Sequence, residues 1–316
     1  MKRQLKLVEK TKLWFIISLI MIVISLGALA IRGLNFGIDF VGGTIVTIDL
    51  HTTFNTDDAR KITDQYDKNA DITYSGDAQE QIVISTKESL TTEQRTDLFN
   101  AFKTEYKLTD ADLVSVDTIT PSVGTETARN AVLASVVAIA LMLVYITFRF
   151  EFYFGLAAVL ALVHDIIVVI GVYALFQIQV NAPFIAAVLT ILGYSINDTI
   201  VVFDRIRENE NVMGMQNLTT LVDVSVNQTL KRSINTVATT LIAILALYIF
   251  GVAAIKDFAL PLIVGIACGC YSSIFVASPL WVVFQKKFKN TRYNTKNQKK
   301  NNRKRRDKRQ EKAPQV

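Results

Sequence analysis

Six apolar runs decide what this chain can fold into. They occupy residues 13–31, 129–148, 153–175, 183–202, 233–250 and 258–284, and each is long enough to cross about 30 Å of hydrocarbon. A run of that length in lipid has to satisfy its own backbone groups, which means a helix. The chain therefore reads as an α-helical membrane protein with six transmembrane helices, and its 51% hydrophobic composition agrees. The first run is too long for a signal-peptide core, and Arg32 and Gly33 follow it where a small-residue cleavage site would stand. It reads as a retained helix.

Lysine and arginine placement sets the orientation. Lys2, Arg3, Lys6, Lys10 and Lys12 put the N-terminus in the cytoplasm. Six crossings return the C-terminus to that side, where residues 285–316 form a basic tail. Arg205, Arg207, Lys231 and Arg232 flank the connection between crossings four and five, again inside. The short connections at 176–182 and 251–257 hold only Lys256 as a base and face outward. The net charge of +6 hides an acidic outer segment and a basic tail. The tail cannot bury a core and reads as disordered. It suits anionic lipid or ribosomal RNA, or serves simply as a topology anchor.

The expected organisation is a cytoplasmic N-terminus and first helix over 1–32, an extracytoplasmic α+β domain over 33–127, a bundle of helices two to six over 128–284 with a cytoplasmic loop at 203–230, and the tail. The loop reads as a helix-turn-helix with Gly214 near its turn. In the outer segment, 44–50, 71–75, 81–86 and 112–119 alternate as strands, with a turn at Ser75-Gly76-Asp77, while 56–69 and 91–106 read as amphipathic helices. The order β-α-β-β-α-β predicts a small ferredoxin-like domain with both helices on one face of an antiparallel sheet. That domain has no cysteine: Cys268 and Cys270 both lie in the sixth run. Two residues apart on a helix, they point to different faces and make a poor disulfide or metal site. They read as small packing residues.

Asp198 stands inside the fourth run. An acid at membrane depth costs about 2.5–3.5 kcal/mol on insertion scales, so the default reading is an ion or proton site. The bland alternative is a hydrogen-bonded helix contact. Thr190, Tyr194 and Asn197 form a polar stripe beside Asp198, and Arg232, Thr236, Thr239 and Thr240 recur at helical spacing on crossing five. Asp198 and Arg232 sit at depths where they can meet across a helix pair. An acid whose surroundings alternate between an arginine and hydrocarbon changes its proton affinity, which a proton-coupled cycle requires. For Arg232, snorkelling to the interface is the competing role. His164 and Asp165 form a second ionisable pair in crossing three. Neighbours on a helix diverge by about 100°, so the pair is not expected to face one partner; proton relay and packing stay open for each. Gly265, Gly269 and Ser273 give crossing six a small-residue face for close helix approach. Two acids in adjacent crossings also raise an intramembrane aspartyl protease, but the second acid follows Ser195-Ile196-Asn197 and lacks the Gly-x-Gly-Asp setting. No P-loop, zinc spacing or nucleophile elbow occurs, so no hydrolytic catalysis is expected.

The stretch Gly33-Leu34-Asn35-Phe36-Gly37-Ile38-Asp39-Phe40-Val41-Gly42-Gly43-Thr44 resembles the first signature of the SecD/SecF family of protein-export membrane proteins, within the resistance-nodulation-division superfamily. Gly193 to Asn209 resembles a later signature almost throughout, and Val163-His164-Asp165, Ser225 to Ser233 and Tyr271-Ser272-Ser273 fit in the same order. The resemblance implies a SecD partner, contact with the SecYEG channel, with YajC and YidC as further candidates, and a preprotein pulled outward across a bacterial cytoplasmic membrane by the proton gradient. The proton is then the coupling ion, with no other cofactor and no metal. Carried over by motif, Asp198 and Arg232 match positions implicated in proton transport, and Asp165 falls in a motif of less secure role. Asn35, Gly37, Asp39, Gly42 and Gly43 would form the junction between the first crossing and the outer domain, with Asn35 and Asp39 satisfying its backbone. Two other readings compete: a small-molecule exporter of the same superfamily, which would carry twelve crossings, and a non-transporting assembly factor.

Overall fold

The computed structural model describes residues 6–76 and 79–289. Six helices in it are long and apolar enough to cross a membrane, which makes the chain a multi-pass membrane protein. α1 (Thr11–Arg32), α5 (Pro121–Arg149), α6 (Phe152–Phe176), α7 (Ala182–Met213) and α8 (Leu218–Phe250) are continuous. The sixth span is broken: α9 (Ala253–Ser272) passes through a π-helical turn at Ser273–Ala277 into α10 (Ser278–Phe284), and a second π-helical turn runs to Lys289. Pro279 explains the first break. Its ring would collide with a carbonyl one α-turn back, and widening to i→i+5 geometry relieves that. The helix thus continues five residues past the expected start of the tail; residues 290–316 of the tail lie outside the described residues.

Apart from His164 and Asp165, α6 is almost wholly apolar and half of its apolar window is buried, as a central helix should be. α5 and α8 bury only 11% of theirs, leaving broad apolar faces. Two cores divide the bundle. One gathers Phe154, Phe203, Trp281 and Val222 around the ends of α6, α7, α8 and α10. The other gathers Val169, Tyr173, Phe184, Ile191 and Ile266 toward the opposite face. Small residues set the closest approaches: a Cβ on Gly171 would lie 2.1 Å from Ser25 Cβ, and one on Gly265 would lie 2.3 Å from Ile191 Cδ1. At the N-terminus the amides of Leu7 and Val8 both donate to Asp223 Oδ1 of α8 at 2.9 Å.

Between α1 and α5 the chain forms β1 (Asn35–Phe36), α2 (Ile38–Val41), β2 (Gly43–Asp49), α3 (Thr56–Thr63), β3 (Asp71–Ser75), β4 (Gln81–Thr86), α4 (Thr92–Tyr106) and β5 (Leu113–Ile119). Strands β3-β4-β2-β5 make one sheet in that order, each neighbour antiparallel. Alternate residues Val46, Ile48, Ile82 and Ile84 face Ala59, Leu98, Phe99 and Phe102 in a third core, the period-2 pattern meeting the period-3.6 one. Thr91 and Gln94 close a capping box at the start of α4. Two boundaries differ from expectation. α3 ends at Thr63, not near 69, because the following backbone tightens into turns, the Gln65 and Tyr66 amides donating to the carbonyls of Ile62 and Thr63, and Arg60 reaches the carbonyl of Ala70. α5 begins at Pro121, through the expected domain boundary at 127, since proline pre-sets the first turn of a helix. The expected helix-turn-helix at 203–230 is formed by the ends of α7 and α8, turned at Gly214 with φ +71° and continuous with the spanning helices. Gly76 carries φ +80° at the β3–β4 turn; Asp77 lies outside the described residues.

Candidate functional site

α7, α8 and α9 border a cavity of about 90 Å³ that opens at the face of the bundle, and Asp198, Arg232, Asn197, Tyr194, Thr236 and Thr240 all line it. Six expected site residues thus share one space. Asp198 Oδ2 and Ser233 Oγ are both buried with no hydrogen-bond partner within 3.5 Å, although Ser233 lies close enough to Asp198 to influence it. Among the described residues no ion pair within 4.0 Å joins Asp198 to Arg232. The two opposite charges face one cavity without closing on each other. The stripes are only partly assembled: Thr190 bonds the carbonyl of Ala186 and Thr239 those of Asn235 and Thr236 on their own helices, and neither reaches the cavity.

His164 and Asp165 are 3% and 1% exposed and form a second centre behind the first. Asp165 accepts from Ser195 Oγ and Ser272 Oγ at 2.7 Å each through Oδ2, and from Cys268 Sγ at 3.3 Å through Oδ1. His164 Nδ1 lies 3.0 Å from Oδ1; a carboxylate only accepts, so Nδ1 carries the proton and donates. This corrects the expectation that the neighbours diverge. The two side chains meet at Nδ1 and Oδ1, and His164 Nε2 is left without a partner. Cys268, read from the sequence as packing, sits 4.0 Å from His164 Nδ1. His164, Asp165 and Cys268 offer ligand atoms within 4.8 Å of one another, a spacing open to a metal ion; Asp165 is already engaged by hydrogen bonds, while His164 Nε2 is not. Ser195, which lines the cavity and bonds Asp165, joins the two centres. Sequence reasoning missed Ser195, Ser233 and Ser272, since buried serines leave no periodic signal.

The junction forms as a knot of polar contacts. β1 pairs in parallel with β6 (Gln179–Val180), from the α6–α7 turn. Asn35 Nδ2 donates to the carbonyl of Gln177 at 3.1 Å, and Asp39 Oδ2 accepts the amide of Ala182 at 2.7 Å. Arg32 bonds the carbonyl of Leu175. Gly42 and Gly43 have φ +83° and +150°, and a Cβ on Gly43 would lie 2.1 Å from the carbonyl oxygen of Thr86, so only glycine fits there.

A six-span bundle in which an acid and an arginine line one cavity, with a small α+β domain between its first two spans, defines a multi-pass membrane protein with a polar site among its helices. Comparison with known proteins narrows the class. The family described as Protein export membrane protein SecD/SecF, C-terminal, matches residues 99–287, and the SecD/SecF GG motif matches residues 27–53. The chain belongs to the SecD/SecF family of protein-export membrane proteins. It is 39% identical to the protein translocase subunit SecF of Sebaldella termitidis over 90% of this chain and 93% of that one. To the SecF of Haemophilus influenzae it is 37% identical, covering 84% and 82%. A crystal structure of SecDF from Thermus thermophilus superposes with a TM-score of 0.78 at 37% identity, covering 90% of this chain but 39% of that longer one. The chain is a SecF-like subunit of the protein translocase.

Proposed function

We propose that this subunit works with SecD to convert the proton gradient into outward movement of preproteins emerging from SecYEG. Asp198 takes up and releases the proton, and Arg232 supplies the counter-charge that makes its two states differ. The observation that carries this reading is the shared cavity, in which a carboxylate with an unsatisfied buried oxygen faces a guanidinium without an ion pair. The electrical part of proton entry supplies about 2.3 kcal/mol per 100 mV, enough to bias an outer domain between arrangements a few kcal/mol apart. The His164–Asp165 pair, enclosed and outside the cavity lining, acts as the polar anchor that holds α6, α7 and α9 around Asp198.

The α+β domain, whose strand order and antiparallel pairing support a ferredoxin-like reading, is the extracytoplasmic part that meets polypeptide; both termini are cytoplasmic. A SecD partner is supported by the face of α8 on which Asn235, Thr236 and Thr239 stand uncovered by the rest of the chain. Polar groups there favour a protein neighbour over lipid. It is supported too by the length of the Thermus SecDF chain beyond the matched part. No catalytic step and no cofactor besides the proton is required.

The test is export of a secreted reporter in cells whose only copy carries Asp198→Asn, at normal level and membrane insertion. Loss of export supports a titrating acid, because the amide keeps shape and hydrogen bonding but cannot ionise. Full export would favour the assembly-factor reading, with Asp198 a packing residue.

A further inference from the structure

Two of the three walls of the Asp198 cavity are tied, at their far ends, to the junction segment. α7 supplies Tyr194, Ser195, Asn197 and Asp198 to the cavity, and α9 supplies Ile266, Gly269 and Cys270. At the start of α7 the residue in capping position, Asn181, makes no cap to its own helix. Asp39 of α2 supplies it instead, its Oδ2 accepting the amide of Ala182 at 2.7 Å. Pro183 has no N–H, and the amide of Phe184 returns to Asn181 O at 3.0 Å, so Asp39 meets the remaining first-turn donor. Its negative charge also lies at the positive end of a long helix. Asn181, released from capping, donates Nδ2 to Asp257 Oδ2 near the start of α9 at 2.8 Å. Gly37 makes room for this: a Cβ there would lie 1.8 Å from Asn181 Oδ1. Beyond Asp39 the chain passes Gly42 and Gly43 directly into β2, flanked by β4 and β5 in the sheet. Lys87, just past β4, donates to Asn35 Oδ1 at 2.8 Å and ties the sheet to the same knot.

We propose that Asp39 is a positioning residue that transmits movement between the proton-binding helices and the outer domain. Through Asp39–Ala182 and Asn181–Asp257, the strand at the sheet's interior is fixed to the outer ends of both α7 and α9. Ala182 and Asp198 are about 24 Å apart along one unbroken helix, so a tilt at the cavity arrives at Asp39 as a displacement. This rests on the proton-coupled reading above and names the joint that reading needs.

The experiment compares Asp39→Ala, Asp39→Asn and Gly37→Ala in the full chain, produced with its SecD partner. Reporter export is measured in cells, and proton movement and SecD co-purification are measured on the purified pair in proteoliposomes. Asp39→Ala is expected to lower export about tenfold, within the range that changes along a coupling path produce, while proton movement stays within about twofold and SecD still co-purifies. Gly37→Ala, which displaces Asn181, follows Asp39→Ala. Asp39→Asn keeps a side-chain oxygen for the Ala182 amide and restores most export. The proposal is overturned if Asp39→Ala exports at the wild-type rate, or if export and proton movement fall together without rescue by asparagine, as in a merely structural lesion. Asp198→Asn run in parallel separates the two readings. Normal export by Asp198→Asn sinks the proton-coupled function itself, whereas its failure beside a normally exporting Asp39→Ala sinks only the joint.

Discussion

Replacing Asp165 by alanine should destabilise the bundle far more than replacing Asp198, although both are acids at membrane depth. Asp165 receives four donors from three helices: Ser195 on α7, Cys268 and Ser272 on α9, and His164 beside it on α6. A buried donor left without its acceptor costs about 1–3 kcal/mol. The two serine hydroxyls can fall back on their own helix carbonyls, as Ser272 already does toward Gly269 O at 3.2 Å, so their share is discounted. His164 Nδ1 has no such recourse, and a void replaces the carboxylate. The expected loss is about 3–5 kcal/mol, the range for breaking a buried charged network from one side. Asp198 presents an oxygen with no partner, so Asp198→Ala should cost less than about 1 kcal/mol. Reversible unfolding of the purified chain in mixed detergent micelles, followed by helix signal, measures both. If Asp165→Ala costs under about 1 kcal/mol, or the two variants are alike, the assignment of Asp165 as anchor is wrong.

Further outcomes follow from contacts elsewhere. Gly171→Ala drives a Cβ onto Ser25 down to its Cα, 2.5 Å away, whereas Gly265→Ala meets only the side chain of Ile191; both should lose about 1–3 kcal/mol in the same assay, Gly171→Ala the more. Asp223→Ala removes the acceptor of the Leu7 and Val8 amides, and amide exchange at those two positions should rise while the core of α8 stays protected. In the outer domain the hydrogen bond to Asp112 and the charge of Asp49 raise the His51 pKa above its usual 6.5. The Thr109 amide, the His51 ring and the Thr109 hydroxyl hold Asp112 down to about 2. The His51 contribution to stability is therefore full below pH 6.5 and fades as pH rises through its folded value, and that of Asp112 is full above pH 3.8 and fades as pH falls toward 2. The chain has two histidines, so selective labelling gives two NMR signals, and Asp112→Asn should bring the His51 titration back toward 6.5.

The bundle was legible because hydrocarbon permits few structures: all six spans fall where the apolar runs lie, and the strands of the outer domain follow their alternation to within a residue or two. Helix ends were less legible, since α5, α7 and α8 run on through polar segments once they leave hydrocarbon, where composition no longer separates helix from loop. The cavity was half visible. Helical spacing put Tyr194, Asn197 and Asp198 near Arg232, Thr236 and Thr240, but spacing cannot tell which threonine turns inward, and Thr190 and Thr239 bond their own helices instead. The Asp165 anchor was hidden because it depends on tertiary neighbours more than a hundred residues away: Cys268 and Ser272 are bland residues until α9 is laid against α6. Asn181 and Asp257 were missed for the same reason, as they acquire meaning only across the α7–α9 contact.

The central claim is that a proton taken up at Asp198 drives the outer domain. The most direct test is proton movement into proteoliposomes holding the chain with SecD under an imposed gradient, read by an internal pH dye. Movement in the wild type that Asp198→Asn abolishes, with both variants equally inserted and SecD-bound, is the predicted result. Equal movement in the two would show that the proton does not pass through Asp198 and would contradict the account.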